Sequence, residues 1–262
     1  MRRLSIFVVA AAAALSGCIV VADGGTTVVH QQAPATDAYA AALANPNRPE
    51  ADRPRDSLRR SADMLAFMRL GPGDVIADIR PEEGFFTHLF SPVVGPSGHV
   101  YAFVPNQTSA RENAYADSLA ATYGNVSRVT GALETMSFDR PLDVVFMGEE
   151  YHDFVIPRFG VDVAAMNAAV FRALKPGGLY VILDHEAAPG TGISVAGTLH
   201  RIESAELRRQ VEAAGFIFDG ATEVVRNPED DRSRSVFDES IRGRTDRFVF
   251  RFRKPEQEGA AA

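Results

Sequence analysis

The segment from Gly71 to Phe90, GPGDVIADIRPEEGFFTHLF, constrains the fold of this chain more than any other segment does. A short apolar run from Asp74 to Ile79 predicts a buried strand, and the polar residues 80–83 predict a turn. A helix is predicted to begin at Gly84, because the apolar residues that follow recur at the spacing of one helix face, namely Phe85, Phe86, Leu89, Phe90 and Val93. Such a strand, turn and helix place the helix N-terminus at the carboxyl end of a sheet, where doubly wound folds bind ligands.

Strand patterns alternate with helix patterns along the rest of the chain. Further strands are predicted at 99–104, 126–130, 142–147, 179–184, 216–225 and 247–253, with helices at 110–123, 158–174 and 204–215. This alternation predicts a Rossmann-like, doubly wound α/β fold with a mostly parallel seven-stranded sheet. Residues 227–246 are polar and leave no room for a crossover helix, so the last strand is expected to run antiparallel.

One more helix is predicted ahead of the first strand, with Leu58, Ala62, Leu65 and Met68 on one face. Two interpretations remain open for it. The helix either borders a ligand pocket or simply packs on the sheet.

The first residues have the layout of a secretory signal peptide. Arg2 and Arg3 precede an apolar run from Leu4 to Leu15, and residues 1–17 are assigned to the signal. The sequence Leu15-Ser16-Gly17-Cys18 resembles a bacterial lipobox, which implies lipidation of Cys18, export, and anchoring on the periplasmic side of a bacterial membrane. A transmembrane anchor is the alternative, although the apolar run is short for a bilayer.

Composition separates the remaining parts of the chain. Residues 18–46 are rich in small and polar residues and are predicted to be a flexible tether. The domain is predicted to span residues 47–255, with a disordered tail at 256–262. A net charge of −7 argues against nucleic acid as a partner, because phosphate binding needs a concentrated basic surface.

The turn after the first strand carries a family resemblance. The order Asp78-Ile79-Arg80-Pro81-Glu82-Glu83-Gly84 resembles the first motif of class I S-adenosyl-L-methionine-dependent methyltransferases, in which an acidic residue ends the first strand and a glycine-rich turn follows. Residues 174–178, Leu-Lys-Pro-Gly-Gly, are also typical of that family. The resemblance covers roughly residues 52–255 and implies S-adenosyl-L-methionine as the cofactor.

The resemblance also implies which residues contact the cofactor. Asp78 would hold the amino group, Asn106 stands where the family places an acid for the ribose hydroxyls, and Glu134 would face the adenine. Glu82 and Glu83 replace glycines, and their charge favours a sulfonium or ammonium over a carboxylate. The full predicted set is Asp78, Arg80, Pro81, Glu82, Gly84, Phe103, Asn106, Glu134 and Glu149.

A second group of polar residues follows the fourth and fifth predicted strands, whose ends lie side by side in an alternating sheet. The predicted catalytic residues are His152, Asp153, Asp184, His185 and His200. A neutral imidazole beside a carboxylate acts as a general base near pH 7. Two alternatives remain open: each histidine holds a loop through backbone groups, or two histidines and a carboxylate bind a divalent metal, although their spacing matches no standard metal motif.

The segments 151–153, 184–185, 200–201 and 226–248 are similar to those of a bacterial group of predicted methyltransferases whose members are often exported. Residues 227–246 alternate acids and arginines, which predicts a solvated, salt-bridged face with Phe237 and Ile241 against the core. A role of this loop in substrate recognition is the alternative.

Three functions follow from these observations. The first is an S-adenosyl-L-methionine-dependent methyltransferase acting on a small molecule or an envelope component. The second is a non-catalytic envelope lipoprotein that keeps the fold and binds another ligand or partner, since a fold alone does not determine function. A metal-dependent hydrolase on this fold is the third.

Overall fold

The computed structural model describes residues 37–106 and 108–256, which build a single seven-stranded sheet with helices on both faces. The strands are β1 (Val75–Ile79), β2 (His99–Pro105), β3 (Val126–Gly131), β4 (Leu142–Gly148), β5 (Leu174–His185), β6 (Ile217–Thr222) and β7 (Arg247–Arg253). Their order across the sheet is β3-β2-β1-β4-β5-β7-β6. The first five strands pair in parallel, and β7 runs antiparallel to both of its neighbours. The predicted fold class and the antiparallel last strand are confirmed.

The helices are α1 (Asp37–Leu43), α2 (Asp56–Arg59), α3 (Ser61–Phe67), α4 (Thr87–Val94), α5 (Ala110–Thr122), α6 (Tyr151–Phe154), α7 (Val163–Ala173), α8 (Ala196–Leu199) and α9 (Ser204–Ala213). Apolar side chains of α1, α3, α4 and α5 form one core layer on the sheet. Those of α7 and α9 form the second core layer on the opposite face. Every residue of β1 is buried, which explains its short and continuous apolar sequence.

The helix after β1 begins later than predicted. Gly84 has a φ of +85°, a left-handed conformation that no α-helix contains, and α4 begins at Thr87. Phe85 and Phe86 therefore belong to the turn, although both are buried in the core as the pattern indicated.

Two further expectations for the N-terminal part are wrong. The predicted tether contains α1, whose Tyr39 and Ala42 are buried, and the Tyr39 hydroxyl donates a hydrogen bond to the Leu70 carbonyl. The single helix predicted ahead of β1 is broken at Arg60, which adopts a φ of +50°, and Leu58 is exposed as a result. The predicted signal peptide, the rest of the tether and the lipidation site Cys18 lie outside the described residues, as do residues 257–262.

Other boundaries differ by a few residues. β5 begins at Leu174, five residues earlier than predicted, because it pairs with Leu142 ahead of an irregularity in the β4 ladder. α7 begins only at Val163, where the Asp162 side chain accepts a hydrogen bond from the backbone N–H of Ala165. Across the part of the chain that the structure describes, no helix has the length and apolar character that crossing a bilayer requires.

Candidate functional site

Asp184, at the end of β5, organises the carboxyl edge of the sheet. Its side chain is fully buried and accepts hydrogen bonds from the backbone N–H groups of His152 and His185, at 2.8 and 2.7 Å. The Nδ1 atom of His152 lies 2.7 Å from Asp184 Oδ1. Because β4 and β5 are neighbours in the sheet, this carboxylate fixes the ring of His152, the second residue of α6, just after β4.

The other predicted catalytic residues gather around His152. The ring centroids of His185 and His200 lie 5.8 and 5.4 Å from that of His152. Asp153 Oδ1 lies 3.0 Å from His200 Nδ1 and 3.5 Å from His152 Nε2. Two segments distant in sequence therefore meet at one edge, as the alternating strand pattern predicted.

The pKa values of the three imidazoles are shifted in different directions. Burial works to lower the pKa of His152, but Asp184 and other nearby carboxylates outweigh it and raise that pKa. Burial lowers the pKa of His185 to about 4, and it also lowers the pKa of His200. His185 and His200 are therefore neutral near pH 7.

His185 lines a cleft that is open to solvent and has about 1580 Å³ of empty space, which we call the large cleft. It lies between the turn after β1 and the segment before β7. Five arginines and four glutamates line it, namely Arg55, Arg59, Arg111, Arg242 and Arg247 with Glu82, Glu83, Glu112 and Glu149. His185 Nδ1 lies 2.8 Å from Thr245 Oγ1, which orients the ring toward this space. A neutral imidazole held at one nitrogen leaves the other nitrogen for a ligand.

The turn after β1 keeps a left-handed backbone at residues that are not glycine. Arg80 and Glu82 have φ values of +53° and +50°. This conformation costs an L-residue about 1–2 kcal/mol, which is why glycine is the usual choice. Arg80 Nη1 lies 2.6 Å from Glu150 Oε2 and 3.2 Å from Asp153 Oδ2, and Arg80 Nε donates to Glu112 at 3.0 Å. Three carboxylates thus hold the Arg80 guanidinium across the turn and offset its strained backbone.

Two smaller clefts lie on either side of Arg80. The first, which we call the apolar cleft, has about 640 Å³ of empty space and is lined mainly by Pro105, Ala132, Leu133, Phe154, Phe159 and Val161. Asn106 and Glu134 also line it, and Glu134 accepts a hydrogen bond from the backbone N–H of Asp162. The second, which we call the acidic cleft, has about 420 Å³ of empty space. It is lined by four acidic residues, Asp78, Glu82, Glu83 and Glu149, and by Arg55, Arg59 and Arg80.

Asp78 ends β1 beneath the acidic cleft. Its carboxylate is buried and accepts a hydrogen bond from the Thr87 hydroxyl at 2.7 Å. Burial raises the pKa of Asp78 to about 7, and the nearby Glu82 contributes to this rise. Asp78 is consequently close to half-protonated at neutral pH.

Glu149 lies between the acidic cleft and the large cleft. Arg59 Nη2 and Arg247 Nη1 approach its two carboxylate oxygens at 3.1 and 2.9 Å. Burial alone would raise the pKa of Glu149, but these arginines and His185 lower it well below its usual range. Glu149 stays ionised and joins α2 to β7 across the mouth of the site.

Most predicted cofactor residues line these clefts, namely Asp78, Arg80, Pro81, Glu82, Asn106, Glu134 and Glu149. Two do not. The Phe103 ring is buried in the core against Phe138, because alternate residues of β2 point to opposite faces of the sheet. A Cβ atom at Gly84 would lie 2.6 Å from Leu119, so this glycine allows α5 to pack against the turn.

Several residues of the site were not predicted from the sequence. They are Arg59, Glu112, Glu150, Thr245 and Arg247. Glu150 and Arg247 are next to residues that the strand pattern had placed at the edge of the sheet, so their place in the sequence could have predicted them. Arg59 and Glu112 come from helices, and nothing in their local sequence indicates their partners.

Buried charges, rather than the predicted apolar residues, attach the loop 227–246. Arg201 pairs with Asp230 at 2.8 Å, and both side chains are inaccessible to solvent. Asp246 is also buried and pairs with Arg226 and Arg232. Phe237 is 57% exposed, so its predicted place in the core is wrong, and the neighbouring Val236 is buried instead. The alternation of acids and arginines reflects these internal ion pairs as well as a solvated face.

Comparison with solved structures relates this architecture to known proteins. A SAM-dependent methyltransferase from Aquifex aeolicus superposes with a TM-score of 0.55 at 18% identity, covering 81% of this chain and 96% of that chain. A putative sarcosine dimethylglycine methyltransferase from Galdieria sulphuraria gives a TM-score of 0.53 at 15% identity, covering 78% and 86%. The chain has the class I methyltransferase fold. The [4+2]-cyclase SpnF also shares it, with a TM-score of 0.57 at 16% identity and coverage of 79% and 81%.

Comparisons of the sequence give no match. No protein-family model matches the chain. No curated protein matches it either. The structural likeness, at identities below 20%, therefore concerns the fold.

The residues at the sheet edge fit S-adenosyl-L-methionine in part. The apolar cleft has a size and lining that suit an adenine, and the acidic cleft suits an ammonium or sulfonium group. Arg80 lines both clefts and lies between them. A ligand that occupies both clefts would therefore contact the Arg80 side chain.

Proposed function

We propose that this protein is an S-adenosyl-L-methionine-dependent methyltransferase that acts on a small molecule or an envelope component. One observation carries the proposal: an apolar cleft, a carboxylate-lined cleft and a neutral imidazole lie at the same carboxyl edge of a methyltransferase fold. The Aquifex aeolicus and Galdieria sulphuraria proteins, described as methyltransferases, support the same assignment.

The cofactor, when bound, would supply an electrophilic methyl group. The apolar cleft would hold the adenine, with Asn106 and Glu134 at its polar rim. Asp78, Glu82 and Glu149 would face the ammonium and the sulfonium, whose positive charges their carboxylates favour.

His185 is the residue best positioned to act on the methyl acceptor. It lines the large cleft and is neutral, whereas His152 is buried and its Nδ1 is engaged by Asp184. The free nitrogen of His185 would accept the proton of an acceptor hydroxyl or ammonium. Because burial makes this imidazole a weak base, most of the rate acceleration would come from positioning the acceptor.

Ligand binding tests the proposal. We expect S-adenosyl-L-methionine and S-adenosyl-L-homocysteine at millimolar concentration to raise the melting temperature of the protein, since a ligand at ten times its Kd stabilises by about 1.4 kcal/mol. Ala132→Phe fills the apolar cleft and should remove the shift. Ala121→Phe, on the exposed face of α5, is the matched control and should retain it.

A second candidate function is favoured by Arg80. Its guanidinium already occupies the position between the two clefts, as expected of a non-catalytic envelope protein that keeps the fold for another ligand. The cyclase SpnF illustrates that this fold also serves other reactions. The two candidates differ in one result: if neither ligand shifts the wild type but both shift Arg80→Gly, the second candidate is the correct one.

We also propose that the protein is exported and anchored through a lipid on Cys18. The lipobox-like sequence 15–18 supports this assignment. Metabolic labelling of bacterial cells with a palmitate analogue should label the wild type and leave Cys18→Ser unlabelled. Equal labelling of both proteins would contradict the anchor.

A further inference from the structure

One oxygen atom at the centre of the histidine cluster has no hydrogen-bond partner among the described residues. Asp153 Oδ1 is buried, and His200 Nδ1 approaches it to 3.0 Å without the alignment that a hydrogen bond needs. The other oxygen, Oδ2, accepts a hydrogen bond from Arg80 Nη1 at 3.2 Å. A buried carboxylate oxygen without a donor costs about 1–3 kcal/mol or more, so this atom calls for a partner.

The nitrogen atoms around Asp153 Oδ1 have the spacing of metal ligands. His152 Nε2 and His200 Nδ1 lie 3.5 and 3.0 Å from this oxygen, and all three atoms lie within 4.8 Å of one another. Ligands bound about 2.0–2.2 Å from one ion, at angles between octahedral and tetrahedral, are about 3.0–3.5 Å apart. Small rotations of the two rings would therefore bring all three atoms onto one ion.

The surroundings of the two imidazole rings orient them for a shared ligand. Asp184 engages His152 at Nδ1, which fixes the ring and leaves Nε2 for a metal, as in the carboxylate–histidine–metal arrangement of known sites. A left-handed backbone at the end of α8, with a φ of +53°, turns His200 toward Asp153.

We propose that His152 Nε2, Asp153 Oδ1 and His200 Nδ1 form a binding site for a divalent first-row transition metal, with Zn²⁺ as the representative ion. Imidazole nitrogens favour such metals, whereas Mg²⁺ and Ca²⁺ prefer a shell of oxygens. Three protein ligands leave at least one coordination position open.

The site goes beyond the proposed function, because attack on a methyl sulfonium needs no metal. The position of the site nevertheless connects it to the clefts. Asp153 contacts Arg80, which lines the apolar and acidic clefts, and the His200 ring packs on Phe237 in the wall of the large cleft.

Calorimetric titration of the chelator-treated full chain with Zn²⁺ tests the site. We expect one saturable Zn²⁺ per chain and no saturable binding of Mg²⁺. His200→Ala and the isosteric Asp153→Asn should weaken binding by about 100-fold or more, since loss of a supporting residue alone costs 10–100-fold. His99→Ala, on β2, should bind as the wild type does. All variants carry Cys18→Ser, which removes the one thiol of the chain.

A spectroscopic measurement separates direct ligation from loss of folding. Co²⁺ bound by two imidazoles and a carboxylate gives visible d–d bands, which should be present in wild type and absent from Asp153→Asn at equal far-UV circular dichroism. Absence of 1:1 Zn²⁺ binding to the wild type would overturn the proposal, and so would wild-type affinity in His200→Ala. None of these measurements uses S-adenosyl-L-methionine, so their outcome is independent of the proposed methyl transfer.

Discussion

Replacing Arg80 tests how the turn after β1 is stabilised. Arg80→Gly removes a guanidinium that contacts Glu150, Glu112 and Asp153, and it leaves Glu150 buried without a cation. Breaking such a pair costs about 3–5 kcal/mol. Glycine at a φ of +53° recovers about 1 kcal/mol of backbone strain. We therefore expect Arg80→Gly to lower the free energy of unfolding by about 2–4 kcal/mol at pH 7.

Two comparisons divide this loss into its parts. Arg80→Ala loses the same ion pairs but keeps the strain, so it should be about 1 kcal/mol less stable than Arg80→Gly. Adding Glu150→Gln should restore much of the stability, because a neutral amide needs no cation. The loss should also shrink as the pH falls, because burial raises the pKa of Glu150 well above its usual value and removing the Arg80 cation raises it further.

Urea unfolding followed by circular dichroism measures these differences, provided that the denaturant slopes stay equal. A wild-type stability of Arg80→Gly at pH 7 would refute the stabilising role of the three carboxylates. Equal stability of the glycine and alanine variants would refute the claim that the backbone at residue 80 is strained. Thermal shifts with S-adenosyl-L-homocysteine on the same samples report whether the opened passage between the clefts gains affinity.

Three further predictions concern stability. The free energy of unfolding of Asp78→Asn, relative to that of the wild type, should rise by about 2–4 kcal/mol between pH 4 and pH 8 in urea unfolding. The pKa of Asp78 is raised, so its contribution to wild-type stability is present below pH 4 and is lost as the pH rises through 7. A pH-independent difference would contradict this. Gly84→Ala should cost at least about 2 kcal/mol, from its positive φ and the contact with Leu119, whereas Gly160→Ala, with a left-handed backbone and open space, should cost about 1 kcal/mol; equal losses would remove the packing argument. Arg201→Met should cost about 3–5 kcal/mol by leaving a buried carboxylate unpaired, and a small loss would show that this ion pair contributes little.

The sheet could be predicted from the sequence because its information is local and periodic. β1, β2 and β4 are short apolar runs between clear turn signals, and parallel strands must place their carboxyl ends at one edge. The meeting of His152 with Asp184 followed from that edge alone. Predicting this contact required only the order of the strands in the sheet and no side-chain geometry.

The remaining errors have a common physical cause. The break at Arg60 and the turn at Gly84 depend on positive φ values, and a helical periodicity continues through both in the sequence. The burial of Asp230 and Asp246 depends on arginines from distant segments, which no local pattern indicates. Charged residues that pair inside the protein have the same sequence appearance as charged residues in solvent.

The attachment of residues 227–246 has a mechanical consequence. Detaching this segment would expose Asp230 and Asp246 together with their arginines. Because each ion pair has fixed partners, the segment cannot shift along the surface without breaking these pairs. Amides near Thr245 should accordingly exchange with solvent only through large openings of the protein. The wall of the large cleft behind His185 is therefore rigid, and a ligand that binds there has to adopt a shape complementary to it.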